Sequence, residues 1–274
     1  MTELDVDLNP LHLQLDFDSL NSIKHLVVVP ALEFPIRRFA DTIGLLQKLI
    51  LLPNILLQHG TLMRVWDSRT SFLTGSDDEK YENEEGKHSA LSDAARWTQQ
   101  ELDAGRLAKL LFDESHTQMR FLTQNVMFRQ SLRALLLQAI VSAWSSFELL
   151  ANDCIVIIRS FRPGRKTYKI DYSYRSLKRI VEGFQSVLHS QNGILDILDS
   201  TDLVELEQTR HLIVHKAGIV DQLFARNTKK EVEIDMPLPL SVDDASRLIN
   251  TSINVGVKLV RESGAVILKS MFGP

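Results

Sequence analysis

The sequence predicts an all-α protein. Three observations carry that prediction. Aromatic residues are sparse at 7% while Leu is abundant. Apolar residues recur three and four apart over most of the chain, which is the helical period. Helix-end residues bracket these runs, with Ser241 placed to start one and Gly218 to stop another.

The elements follow in order. Residues 1 to about 30 show short alternations, "LHLQLDF" and "HLVVV". One or two extended segments are expected there. From Phe34 the run "FPIRRFADTIGLLQKLILL" has helical spacing, and Pro53 is expected to break it. "GSDDEKYENEEGKHS" at 75–89 is acidic and nearly free of apolar residues, as a solvated loop or linker would be. Residues 1–100 thus form a mainly helical N-terminal region with an acidic loop, and 101–274 a helical bundle. "LSDAARWTQQELDAGRLAKLLFD" is amphipathic. A long helix is expected from about Thr117 to Ile158, apolar almost all round at its centre, as a central bundle helix should be. "RPG" at 162–164 ends it. "SYRSLKRIVEGFQSVL" and "ILDILDSTDLVELEQTRHLIVHKAG" supply two more helices, the latter ending at Gly218. "EVEIDMPLPLS" is a short extended link. Ser241 then caps a last helix with Asp243 and Asp244 in its first turn, where carboxylates suit the helix dipole.

The 274 residues suffice for a buried core without staples. A net charge of −4 gives no global attraction to nucleic acid, so any such contact needs a local patch. The single cysteine, Cys154, lies in an apolar run and reads as a buried small hydrophobe. It excludes an internal disulfide and agrees with a reducing compartment. The acidic start lacks the basic residues of a signal peptide. The most apolar stretch, "IGLLQKLILLPNILL", is too short to span a bilayer and contains Lys48 and Pro53. A soluble, cytoplasmic protein with no membrane partner is expected.

The segment with most chemical content is "RHLIVHKAGIVD" at 210–221. Arg210 and His215 stand five positions apart near a helix C-terminus. On a helix they are about 140° apart, so they do not stack but can flank a groove. Two readings stand. The cations either complement the helix dipole, or they form a small phosphate site. His suits proton transfer near neutral pH, and Arg suits charge on phosphate oxygens because it never loses its proton.

"WSSFELLANDC" followed about sixty residues later by "RHLIVHKAGIVD" resembles the HEPN superfamily. The match covers roughly 115–270, and the sequence before about residue 100 lies outside it. The resemblance implies an antiparallel four- or five-helix bundle that forms a homodimer. It implies a ribonuclease site where two Arg-x4-His motifs meet, working by attack of the RNA 2′-OH without a metal. His215 would be the general acid/base and Arg210 the clamp on the scissile phosphate. His211 would be a further substrate contact able to share proton transfer; Asn is commoner at that position. Glu148 would orient Arg210 or His215, or else form a plain ion pair, and Asn152 lies one turn further on the same face. Proteins of this kind often act as toxins or in defence against phage, restrained by an antitoxin or other regulatory protein. The rival expectation is a non-catalytic RNA- or nucleotide-binding and dimerisation module.

A second constellation is "RSFRPGRKTYKIDYSYRSLKR" at 159–179. It holds eight Lys or Arg, one acid, and three of the chain's four tyrosines. Arg162, Arg165, Lys166 and Lys169 could contact phosphates, and Tyr168 could stack on a base. Lys216 would add to this RNA contact. The alternative is a solvated loop whose tyrosines pack on the bundle. Trp66, Trp97 and Trp144 read as core or interface residues. His59, His88, His116 and His189 lack metal-ligand spacing, and no H-E-x-x-H, C-x-x-C, P-loop or G-x-S-x-G occurs. No metal or cofactor is expected.

Overall fold

The structure is a computed structural model that describes residues 6–25, 29–75, 84–161, 176–188 and 193–273. About 83% of these are helical and none is in a strand, so the all-α expectation holds. The helices are α1 (Phe17–His25), α2 (Glu33–Thr74), α3 (Glu84–Asp103), α4 (Arg106–Leu122) and α5 (Val126–Ser160). They continue with α6 (Leu177–Val187), α7 (Gly193–Leu198), α8 (Thr201–Lys216), α9 (Gln222–Thr228) and α10 (Val242–Phe272).

By packing the chain divides into two compact units. One comprises Met1–Leu8, His12–Ile50 and Leu132–Pro274; the other comprises Asn9–Leu11 and Leu51–Ser131. The sequence places its boundary near residue 100. The packing division falls within two helices, α2 and α5.

The first unit is organised on α10. Helices α1, α7 and α8 all pack against it. Its Ser252 hydroxyl donates to the Ala143 carbonyl of α5 at 3.1 Å. At Gly256 a Cβ would stand 2.9 Å from Phe39 Cζ and 3.2 Å from Leu150 Cδ2, so a larger residue there would force the ring of Phe39 aside. Trp144, Phe147, Ile180, Phe184, Leu203, Leu206, Ile249 and Ile253 are fully buried around these contacts. The expected cap of α10 is present as a capping box. The Asp244 N–H donates to Ser241 Oγ at 3.0 Å, and the Ser241 N–H donates to Asp244 Oδ2 at 3.1 Å.

The second unit is built from the later part of α2, with α3, α4 and the start of α5. Its buried apolar residues are few, chiefly Ala90, Ala94, Leu107, Leu111 and Met119.

Five expectations need correction. Of the N-terminal alternations, "LHLQLDF" forms no strand, and most of "HLVVV" lies outside the described residues. Residues 13–16 are non-helical, but their backbone bonds to side chains of α10. Gln14 N–H donates to Ser246 Oγ at 3.1 Å, and Asp16 N–H donates to Asn250 Oδ1 at 2.8 Å. Pro53 does not end α2, which continues to Thr74 and spans 42 residues in all. The Leu-rich turns on both sides favour helix strongly enough to absorb the lost hydrogen bond. By length and composition alone, α2 and α5 could therefore cross a membrane, with 28% and 50% of their apolar windows buried.

Next, residues 84–89 of the acidic stretch are helical and open α3, where Glu85 suits the positive end of the dipole. The helix expected from Thr117 is interrupted at 123–125, and Asn125 caps α5 through the Phe128 N–H at 3.2 Å. Finally, the helix expected over 194–218 is two helices, because the chain leaves the helix at 199–200 before α8 begins.

Candidate functional site at the end of helix α8

Arg210, His211, His215 and Lys216 lie in the last two turns of α8. What ends the helix also shapes the site. Ala217 adopts the left-handed conformation with φ 53°, and Gly218 follows with φ 77°. The Gly218 N–H closes on the Leu212 carbonyl at 3.0 Å, which satisfies an end carbonyl. The sequence expected Gly218 as the stop; the structure puts Ala217 in the capping position ahead of it.

The chain then doubles back. Ile219 forms an isolated antiparallel bridge with Pro237. Val220 N–H donates to Met236 O at 2.9 Å, and Leu238 N–H donates to Gly218 O at 2.8 Å. Between them, Asp221 caps α9 through the Phe224 N–H at 2.9 Å. Leu212, Val220, Phe224 and Leu238 form a small core of their own, with Val232 and Ile234 packed against it. Leu212 is central to this cluster, so its neighbours His211 and Ile213 have fixed directions.

On this base the two histidines meet. The His211 and His215 rings lie 4.8 Å apart between centroids and are tilted by 49°. His211 is half-buried and His215 is exposed. Arg210 is half-buried, and its Nε is enclosed with no hydrogen-bond partner. Lys216 is exposed. The C-terminal end of a helix presents free carbonyls, so cations gathered there are stabilised by the dipole.

Of the two α5 candidates, Glu148 is half-buried and engaged in an interaction. Asn152 Oδ1 is buried with no hydrogen-bond partner. Arg210 Nε and Asn152 Oδ1 are thus an unsatisfied donor and an unsatisfied acceptor, and each such group costs about 1–3 kcal/mol. Native proteins keep few of these, and a ligand that supplies the missing partner is one reason to do so.

Sequence reasoning passed over Glu207. It stands at i, with His211 at i+4 and His215 at i+8, so the three share one face of α8. Its Oε1 accepts the Leu177 N–H at 2.7 Å. This bond fixes the start of α6, the first helix after the basic stretch, to α8 one turn from Arg210. Gln208, next along, accepts from Asn227 Nδ2 at 3.1 Å and ties α9 to the same helix. The i, i+4, i+8 spacing was the signal available. Arg162, Arg165, Lys166, Tyr168 and Lys169 lie outside the described residues.

Nearer the start of α8, Glu205 is buried and holds two cations. It pairs with Lys230 at 2.7 Å and with Arg247 of α10. The Glu205 carboxylate holds the Arg247 guanidinium above its usual range. This cluster joins α8 to α10. Among the described residues, no three His, Cys, Asp or Glu side chains gather as metal ligands would.

Comparisons with protein-family models, curated proteins and solved structures found no match. What the fold and site define is therefore the class alone: an all-α protein with a histidine pair and an arginine at one helix end.

Proposed function

We propose that the chain is a metal-independent endoribonuclease of the HEPN type. The observation that carries this reading is the contact between His211 and His215 beside Arg210, whose Nε has no protein partner. The resemblance in sequence, carried in part by the same residues, supports it too.

In the proposed reaction the 2′-oxygen of RNA attacks the adjacent phosphorus. The bond from phosphorus to the 5′-oxygen breaks. One imidazole accepts the 2′-OH proton, and a protonated imidazole donates to the departing 5′-oxygen. The products carry a 2′,3′-cyclic phosphate and a 5′-OH. Arg210 neutralises the phosphorane, which bears more charge than the substrate. His215, being exposed, reaches the substrate first, and His211 lies at the right distance to share the second transfer. Glu148 and Asn152 support the site from α5. Arg162, Arg165, Lys166, Tyr168, Lys169 and Lys216 guide the strand. A homodimer in an antiparallel HEPN-like bundle completes the site, which works in the cytoplasm. The role is in toxin–antitoxin or antiphage defence, under an antitoxin or regulatory protein partner.

The test is cleavage of mixed RNA in EDTA by wild type and His215→Ala. Wild type should cut, leave the cyclic phosphate, and lose at least about 100-fold in rate on substitution. Arg210→Ala should lose a similar amount. RNA left intact by wild type at high enzyme concentration would sink constitutive catalysis. A non-catalytic RNA-binding module, in which Arg210 holds a phosphate without cutting, would then be the better account. For that module Arg210→Ala weakens binding and flattens its salt dependence.

A further inference from the structure

A second constellation lies wholly within the unit of residues 51–131. Thr61, Arg64, Val65, Ser68, Arg69 and Phe72 follow i, i+3, i+4, i+7, i+8 and i+11, which is one face of α2. Together with Trp97 of α3 and Glu114 of α4 they line an open groove of about 410 Å³.

The groove is organised around Arg69. Its guanidinium carbon sits 5.2 Å from the ring centroid of Phe72 and 5.2 Å from that of Trp97. Contact with both rings holds the guanidinium in place and leaves its outer N–H groups for a ligand. Arg69 makes no hydrogen bond or ion pair among the described residues, and its Nε is enclosed without a partner. Among the described residues Glu114 is the only acid lining the groove, and it is already engaged. It accepts from Arg64 Nη2 at 2.9 Å and from Gln118 Nε2 at 2.8 Å. The described lining therefore carries one uncompensated positive charge. Beside it Phe72 is 65% exposed, sufficient to offer ring surface to a flat partner.

We infer that this groove binds single-stranded RNA, with Arg69 on a backbone phosphate and Phe72 stacked on a neighbouring base. A planar fork matches phosphate oxygens, and an exposed ring beside it matches a base whatever its sequence. A carboxylate alone would use Arg69 and leave Phe72 unexplained. The inference rests on the RNA reading for the identity of the ligand, but it needs no catalysis. It places an RNA contact on a unit most of which the resemblance does not cover.

The experiment uses the full chain and a fluorescent 2′-O-methyl ten-mer, which has no 2′-OH to attack and so reports binding alone. Arg69→Ala should raise Kd about tenfold and reduce the salt slope by about 0.7, the value of one phosphate contact on a single strand. Phe72→Ala should raise Kd at least about fivefold. Arg69→Lys keeps the charge and loses the planar fork, so it should retain the salt slope and recover part of the affinity. Unchanged thermal melting of each variant separates these effects from misfolding. Wild-type binding that no variant weakens would overturn the groove while leaving the ribonuclease reading intact. Wild type with no affinity for the ten-mer would also overturn it, and the cleavage assay would still decide catalysis separately. Competition by poly-glutamate as strong as by RNA would overturn the choice of ligand.

Discussion

The two packing units differ in how much of their apolar surface they bury. In the unit that carries α10, most of the large side chains are inside, although Phe34 and Phe272 are 70% and 77% exposed. Trp144, Phe147, Phe184 and Phe224 are all under 3% exposed. In the unit of residues 51–131, Leu52, Ile55, Leu56, Phe72, Phe112, Phe121 and Met127 are between 45% and 78% exposed. Its interior also includes Asn54, Thr61, Thr98 and Ser115. The first unit is held by its own burial. The second keeps contact surface outside, as a region that meets other molecules does. Uniform Leu content along the chain hides this contrast, because a Leu-rich helix can face inward or outward.

The largest expected effect breaks the first unit. Trp144→Ala should cost about 3–5 kcal/mol in chemical unfolding. Met119→Ala, the matching truncation in the second unit, should cost less, near 2 kcal/mol, because less surrounding core depends on it. Equal costs would remove the contrast.

Hydrogen exchange sharpens the same comparison. Backbone amides of α10 should exchange on the order of 100-fold more slowly than those of α4. Overlapping protection would mean that the two units open together.

Glu205→Gln should destabilise by about 2 kcal/mol, since it removes the carboxylate shared by Lys230 and Arg247 and leaves Arg247 only the more distant Asp202 and Asp244. The figure is set below that of a fully buried pair because Arg247 is partly solvated. Ser241→Ala should cost about 1 kcal/mol by removing one half of the capping box. Both effects are read from denaturant midpoints and belong to the first unit alone.

The smallest effect concerns Asp153 of α5. Burial raises its carboxyl above the usual range, and the Arg38 guanidinium at 2.5 Å offsets only part of this. A raised carboxyl contributes stability that is complete in acid. That contribution is lost as pH rises through the folded-state value. Stability of wild type minus that of Asp153→Asn should therefore decline as pH rises above about 4. A difference that grows with pH would show that the ion pair dominates.

The sequence made much of the fold legible, and the reason is physical. Periodicity reports burial, so the long amphipathic runs were read as helices, and Ser241 was read as a cap because its chemistry is local. Pro53 misled because a local penalty of about 3 kcal/mol is smaller than what two flanking Leu-rich turns and their packing supply. The break before α8 is written in "DST", a cap-like triplet, yet the apolar rhythm runs straight across it. For the site, Arg210 and His215 stood out by residue type and spacing. Their relation to Glu207 needed the i, i+4, i+8 count, and the Arg69 groove needed three helices to be placed together. That groove has no sequence motif, since Trp97 and Glu114 come from separate helices.

The chain reversal after α8 has a consequence for energetics. Because Leu212 packs with Val220, Phe224 and Leu238, the last turns of α8 share their fate with residues 219–240 as one small cooperative unit. The histidine pair is thus present only in molecules where that unit is closed. Every 1.4 kcal/mol removed from the cluster lowers the closed-to-open ratio about tenfold while the rest of the chain stays folded. Binding at residues 219–240 could therefore act as a rheostat on the histidine pair without touching either ring.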